Sequence, residues 1–133
     1  MRELGSIDRR RVLAVAAALE MGAGLALALA PAPVVSLLFG AELPVMAWPL
    51  GRLAGIALLS FGLACWPARP PAEDRSTLRA MLVYNSLVAL YLGVLGSVAG
   101  GGPLLWPAAV FHALVAVLLV WTGRPSRGAA GGP

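Results

Sequence analysis

Four long apolar segments, separated by short polar stretches, dominate the pattern of hydrophobic and polar positions along this chain. At about 1.5 Å of rise per helical residue, each segment is long enough to cross a hydrocarbon layer of about 30 Å. The predicted spans cover approximately residues 11–30, 48–66, 78–98 and 104–121. Because an unbroken helix satisfies its own backbone in lipid, the pattern predicts an all-α, four-helix transmembrane bundle within residues 11–122.

Shorter segments flank and interrupt these spans. Pro31 and Pro33 end the first span, because proline has no N–H group to donate within a helix. The apolar run 34–39 that follows is too short to cross a bilayer, so we expect a short interfacial helix between the first two spans. We predict a basic arm over residues 1–10 and a disordered tail over residues 123–133, which is poor in apolar residues.

The composition agrees with a membrane protein. Of the 133 residues 59% are hydrophobic and only 12% are charged, and the mean hydropathy is +0.84. A soluble domain carries about 25% charged residues. Four spans leave no room for a soluble catalytic domain, so we predict that the protein is not an enzyme.

The basic residues are all arginine, and their positions predict an orientation. Apart from Arg52, which lies within the second span, they lie in or next to the N-terminal arm, the loop between the second and third spans, and the tail, whereas the other two loops contain none. By the positive-inside rule, both termini and the middle loop are cytoplasmic. Because the arginines do not share one soluble face, we expect no nucleic-acid partner. Arginine without lysine, beside abundant Ala, Gly and Pro, is typical of a GC-rich bacterial genome, so we expect the inner membrane of a bacterium.

The tryptophans mark the ends of two spans. Trp48 and Trp66 are 18 residues apart in the second span, and Trp106 and Trp121 are 15 apart in the fourth. These separations correspond to roughly 27 and 23 Å of helix, close to a hydrocarbon thickness. We therefore predict interfacial belts, with Trp48 and Trp106 outside and Trp66 and Trp121 inside.

Small residues predict where helices pack closely. Gly51 and Gly55 form a GxxxG spacing in the second span, and Gly24 and Ala28 share a face with Glu20 in the first. Helices in lipid have no hydrophobic force to bring them together, so small faces that allow close approach mark their contacts. We expect the deep polar residues to lie on or beside such faces.

Each span also carries one deep polar side chain, and together these are Glu20, Arg52, Asn85 and His112. Such groups are costly in hydrocarbon and normally face a bundle interior or a wet cavity. Glu20 and His112 each lie nine residues, roughly 14 Å, from the inner boundary, and Asn85 lies about 9 Å in. We therefore expect Glu20 and His112 to face each other, with Asn85 on their cytoplasmic side. Arg52 is only about 6 Å from the outer boundary and can reach the outer surface near Glu42.

Two interpretations of this polar centre stay open: a ligand or proton site, and hydrogen bonds that only fix helix packing. For Arg52 the alternative is an interfacial anchor. Tyr84 and Tyr91, seven residues apart on one helix face, are candidate pocket-lining residues, although tyrosines in bundles more often serve packing. A single histidine cannot provide bis-histidine haem ligation or a multi-ligand metal site, and no catalytic motif is present. We expect no metal and no cofactor.

The layout resembles two groups of membrane proteins. The four spans with cytoplasmic termini, and segments such as 51–55 (GRLAG) and 84–87 (YNSL), resemble the small bacterial inner-membrane proteins described as DoxX-like or as domains of unknown function. That resemblance implies a largely unassigned role and no catalytic residues. Glu20 is similar in kind to the membrane-embedded glutamate in the first helix of the small multidrug resistance family. Arg52, His112 and the absence of that family's third-helix aromatic motif are departures, so this second resemblance supplies a mechanistic analogy.

The sequence thus predicts a non-enzymatic accessory or small-ligand-binding bundle with a buried polar centre in contact with the lipid bilayer. The alternative is a proton-coupled carrier of small lipophilic or cationic solutes that uses Glu20 and His112. A homo-oligomer or a membrane-protein partner stays open.

Overall fold

The computed structural model describes residues 8–67 and 75–123, and in these ranges the regular structure is entirely helical. The five α-helices are α1 (Arg9–Leu29), α2 (Pro31–Phe39), α3 (Trp48–Ala64), α4 (Arg75–Val98) and α5 (Leu105–Thr122). One 3-10 turn, Val45–Ala47, leads into α3. The predicted all-α class is confirmed, with four long apolar helices and the short α2 between the first two. The predicted tail lies outside the described residues, apart from residue 123, and so does the arm up to residue 7.

The first helix begins earlier than the hydrophobic pattern alone predicts. The Asp8 side chain accepts a hydrogen bond of 3.0 Å from the backbone N–H of Arg10, which caps the free amides of the first turn. Residues 9 and 10 of the predicted arm therefore belong to α1. The Arg10 guanidinium also donates a 3.0 Å hydrogen bond to the Pro67 carbonyl and ties the start of α1 to the segment after α3.

Helices α1 and α3 pack with their backbones in direct contact. A Cβ atom added at Gly55 would lie 2.6 Å from the Gly24 carbonyl oxygen and would also strike the backbone nitrogen of Ala28. Further along α3, a Cβ at Gly62 would lie 2.7 Å from the Met21 side chain. Only glycine permits this approach, which is how helices gain packing energy where water provides no drive.

Helices α4 and α5 form the second closely packed pair, with Leu92, Leu105 and Ala109 buried along them. The two pairs touch each other less extensively, mainly through α1 against α5, and α3 packs chiefly on α1. A hydrophobic core joins the pairs at the end of the bundle where α1 and α4 begin. Its fully buried side chains include Leu13, Met81 and Leu119.

At the opposite end of the bundle, backbone hydrogen bonds join α2 to the turn between α4 and α5. The Gly102 N–H donates to the Leu38 carbonyl (3.1 Å), and the Leu104 N–H donates to the Leu37 carbonyl (2.9 Å). A Cβ at Gly102 would collide with the Leu37 carbonyl group, so the docking of α2 on the α4–α5 turn requires glycine there. Helix α2 therefore covers this end of the bundle.

The outward surface identifies a membrane protein. Four helical segments, among them Val45–Ala64, have the length and hydropathy to cross a membrane, and their outer faces expose many large apolar side chains. Such an apolar surface needs lipid to cover it. All four tryptophans are exposed, at or near the ends of α3 and α5, where interfacial belts require them. Their depth in a bilayer stays a prediction.

Replacing Gly55 with alanine should destabilise the bundle by about 1–3 kcal/mol, because the added methyl group overpacks a backbone contact. The matched control is Gly22→Ala on α1, where an added Cβ meets nothing within 4 Å and the expected change is a stabilisation of up to about 1 kcal/mol. Equilibrium unfolding in mixed detergent micelles, followed by circular dichroism, measures both. Equal stability of the two variants would contradict the proposed close packing.

Candidate polar site

Four polar side chains meet between the two helix pairs, and we call Glu20, Tyr84, Asn85 and His112 the polar cluster. They come from α1 (Glu20), α4 (Tyr84 and Asn85) and α5 (His112). Glu20 is 3% exposed and Asn85 is fully buried, while the His112 side chain is 12% exposed. Glu20 and Asn85 therefore lie inside the bundle, while His112 and Tyr84 are partly exposed.

Asn85 determines the tautomer of His112. The Asn85 amide nitrogen donates to the Met81 carbonyl at 2.8 Å, so its amide oxygen points toward the imidazole. That oxygen lies 2.8 Å from His112 Nδ1. Because a carboxamide oxygen can only accept, Nδ1 carries the hydrogen and donates it. In the neutral ring, Nε2 is then the nitrogen left with a free lone pair.

The structure also brings Glu20 and His112 together, at the common level expected from their positions along the helices. Glu20 Oε1 lies 3.6 Å from His112 Nδ1, beyond hydrogen-bond distance. His112 Nδ1 already donates its hydrogen to the Asn85 oxygen at a shorter distance. The imidazole therefore lies close to the Glu20 carboxyl group without forming a hydrogen bond to it.

The carboxyl group of Glu20 is only half satisfied. The Tyr84 hydroxyl donates to Oε2 at 3.0 Å. In the part of the chain that the structure describes, Oε1 is the buried side-chain polar atom with no hydrogen-bond partner. A buried polar atom left unpaired costs about 1–3 kcal/mol. Oε1 is therefore the acceptor of the cluster that lacks a donor, and it is able to accept a hydrogen bond or bind a cation.

Aromatic rings surround the polar cluster. The ring of Phe61 on α3 lies 4.9 Å from that of Tyr84, and Tyr84 meets His112 edge-on at 5.8 Å. Phe111 contacts His112 from the same helix at 5.5 Å. All four long helices thus contribute to the site, and the rings keep its surroundings apolar, which strengthens any electrostatic interaction made there.

Arg52 does not belong to this site. It is exposed on α3, because the face that α3 turns inward is the one that carries Gly51 and Gly55, and position 52 is rotated away from it. The residue that α3 contributes is Phe61. No ion pair joins Arg52 and Glu42 among the described residues, so the anchor interpretation of Arg52 stays a prediction without that partner.

The two tyrosines have different surroundings, which corrects their grouping. Tyr84 is half-buried and binds Glu20, whereas Tyr91 is 62% exposed, two turns further along α4. In that half of the bundle α4 turns its buried side, marked by Leu92, toward α5. Sequence reasoning missed the role of Tyr84 as the donor to Glu20, and the available signal was its position next to Asn85.

Among residues 8–67 and 75–123, no group of three or more His, Cys, Asp or Glu side chains is arranged to hold a metal ion. Comparison with protein-family models, with curated proteins and with solved structures finds no match for this chain. The function is therefore inferred from the geometry of the polar cluster.

A double-mutant cycle should detect coupling between Asn85 and His112. From Asn85→Ala, His112→Ala and the double variant we expect about 0.6 kcal/mol, with an upper limit near 1.7 kcal/mol, as measured for interhelical hydrogen bonds in membranes. The control cycle, Glu20→Gln with Arg52→Gln, should be additive within about 0.5 kcal/mol, because these side chains do not meet. Unfolding in mixed micelles gives both values. Coupling in the control cycle, or none in the first, would contradict this geometry.

Proposed function

We propose that this chain is a non-enzymatic, multi-pass membrane protein whose polar cluster binds a small ligand. The observation that carries the proposal is the buried Oε1 atom of Glu20, which has no hydrogen-bond partner among the residues that the structure describes. Native proteins rarely leave such an atom unpaired, and an unpaired one is explained by a water, an ion, strain or a functional role. Intramembrane carboxyl groups commonly mark substrate or proton sites.

The chemistry of the site favours a small cation or a hydrogen-bond donor. An ionised carboxylate only accepts hydrogen bonds, and it attracts positive charge strongly where aromatic rings such as those of Phe61 and Tyr84 keep the surroundings apolar. Asn85 and the Nδ1–H group of His112 already satisfy each other and do not compete for the ligand. The ligand therefore makes its main contact with Oε1.

A specific observation favours proton-coupled transport as the second candidate. The polar cluster lies where the α1–α3 and α4–α5 pairs meet, and contacts within each pair are more extensive than those between them. Two closely packed pairs that meet at a site are suited to rocking against each other, as in alternating access. Glu20 and His112, two side chains that can each bind and release a proton, lie at this junction.

We also propose the inner membrane of a bacterium, with both termini in the cytoplasm. The support is the arginine distribution along the sequence, together with the exposed tryptophans near the helix ends. The general resemblance of the layout to DoxX-like proteins agrees with this location.

Cysteine labelling tests the orientation. In a Cys65→Ala background, a membrane-impermeant maleimide should label Glu42→Cys in intact spheroplasts, because residue 42 lies between the outer ends of α2 and α3. Ser126→Cys should react only after the membrane is permeabilised. The reverse pattern would contradict the proposed orientation.

Ligand binding at Oε1 should appear as stabilisation that depends on Glu20. We expect ethylammonium or tetramethylammonium, compared with sodium at equal ionic strength, to raise the unfolding temperature of the detergent-solubilised protein. A ligand at 100 times its Kd adds about 2.7 kcal/mol. Glu20→Gln should abolish the effect, and Tyr91→Phe, outside the polar cluster, should retain it.

Equal responses of the wild type and Glu20→Gln would contradict a cation site. Proteoliposomes separate binding from transport. If the protein is a carrier, an imposed pH gradient drives a flux of the stabilising cation, and Glu20→Gln abolishes this flux. A binding protein shows no flux in either form.

A further inference from the structure

A groove runs along the outer face of the α4–α5 pair, and no member of the polar cluster lines it. It encloses about 590 Å³ and is open along its side. Its lining residues are Leu82, Ser86, Ala116, Val117, Val120 and Trp121. These occupy successive turns of α4 and α5, so the groove follows the helix axes and accepts a linear apolar chain.

The groove is lined by small and large side chains together. Ser86 on α4 and Ala116 on α5 are its small residues, while the larger Val117 and Trp121 are largely exposed. In a membrane such a groove is filled by something apolar, because an empty one forfeits dispersion contacts. The lining alone does not identify the occupant.

Two arginines beyond one end of the groove indicate that its occupant carries a negative charge. Arg75, Arg79, Leu82 and Ser86 are spaced by four, three and four residues, so they share one face of α4. Both arginines are exposed, and they continue the line of the groove toward the end of the bundle. Arg79 lies about 4.5 Å of helix rise beyond Leu82. It stands in the second turn of α4, near the end where the helix dipole is positive.

A planar guanidinium group binds phosphate through paired hydrogen bonds, and a tryptophan such as Trp121 is typical of the headgroup level. We propose that this groove binds an anionic phospholipid from the leaflet on the arginine-rich side. One acyl chain lies along Leu82, Ala116 and Val117, and the phosphate meets Arg79. The site is separate from the polar cluster and does not depend on the function proposed for it.

Tryptophan quenching tests the lipid directly, because Trp121 lines the groove. Replacing the other three tryptophans with phenylalanine (Trp48, Trp66 and Trp106) leaves Trp121 as the reporter. This protein is reconstituted in phosphatidylcholine vesicles with increasing fractions of dibrominated phosphatidylglycerol or of dibrominated phosphatidylcholine. A matched protein retains only Trp66, which lies at the same end of the bundle outside the groove.

The expected result is that Trp121 selects phosphatidylglycerol over phosphatidylcholine by about fivefold, the preference that one arginine near a membrane surface provides. Arg79→Gln, an exposed substitution, should remove this preference. Arg52→Gln on the other side of the protein should leave it unchanged, and Trp66 should show none. Ala116→Phe should fill the groove and weaken quenching of Trp121 by both lipids.

Equal quenching of Trp121 by the two lipids, or a preference that survives Arg79→Gln, would overturn the proposal. A dimer that Ala116→Phe dissociates while both quenching curves stay unchanged would also overturn it, and would assign the groove to a second copy of the chain.

Discussion

The backbone contact between α1 and α3 is the constraint on which the rest of the structure depends. Because Gly24 and Gly55 let the two helices touch, one side of α1 is fixed against α3. Glu20 lies one turn before Gly24, so the contact that fixes the rotation of α1 also fixes the direction of this carboxyl group, which meets Tyr84 on α4 and His112 on α5. A larger residue at either glycine would separate the helices and move the carboxyl group from its partners.

The open acceptor on Glu20 follows from how the other pair satisfies itself. Within α4–α5, the Asn85 amide oxygen accepts a hydrogen bond from His112 Nδ1, and the Asn85 amide nitrogen donates one to the Met81 carbonyl. Across the junction, Tyr84 donates the one side-chain hydrogen bond that reaches Glu20 among the described residues. Among the buried side-chain polar atoms that the structure describes, those of the second pair have partners, and Oε1 is the one left without a partner. A site that is complete except for one buried acceptor is selective for a ligand that donates a hydrogen bond or carries a positive charge.

Three hydroxyl side chains on the long helices find their hydrogen-bond partners within their own helix, unlike the Tyr84 hydroxyl of the polar cluster. The hydroxyl groups of the exposed Ser60 and Ser97 each donate to a carbonyl four residues earlier in their own helix, and the half-buried Thr122 does the same. Such bonds remove free donors from the outer faces, since lipid chains offer no partner. On this largely apolar surface, the groove beside Arg79 combines an indentation with a positive charge, which is why we propose it as a lipid site.

The sequence by itself determined the four long helices, the short α2 and the common level of Glu20 and His112, because segment length and helical rise are local properties. Only the tertiary structure decided which side chains meet at that level. Arg52 faces outward, Tyr91 is exposed, and Tyr84 is the residue that binds Glu20. Counting residues gives depth along a helix axis, whereas the rotation of each helix and the choice of its neighbours come from side-chain packing between distant segments. The tautomer of His112 and the unpaired oxygen of Glu20 are likewise products of that packing.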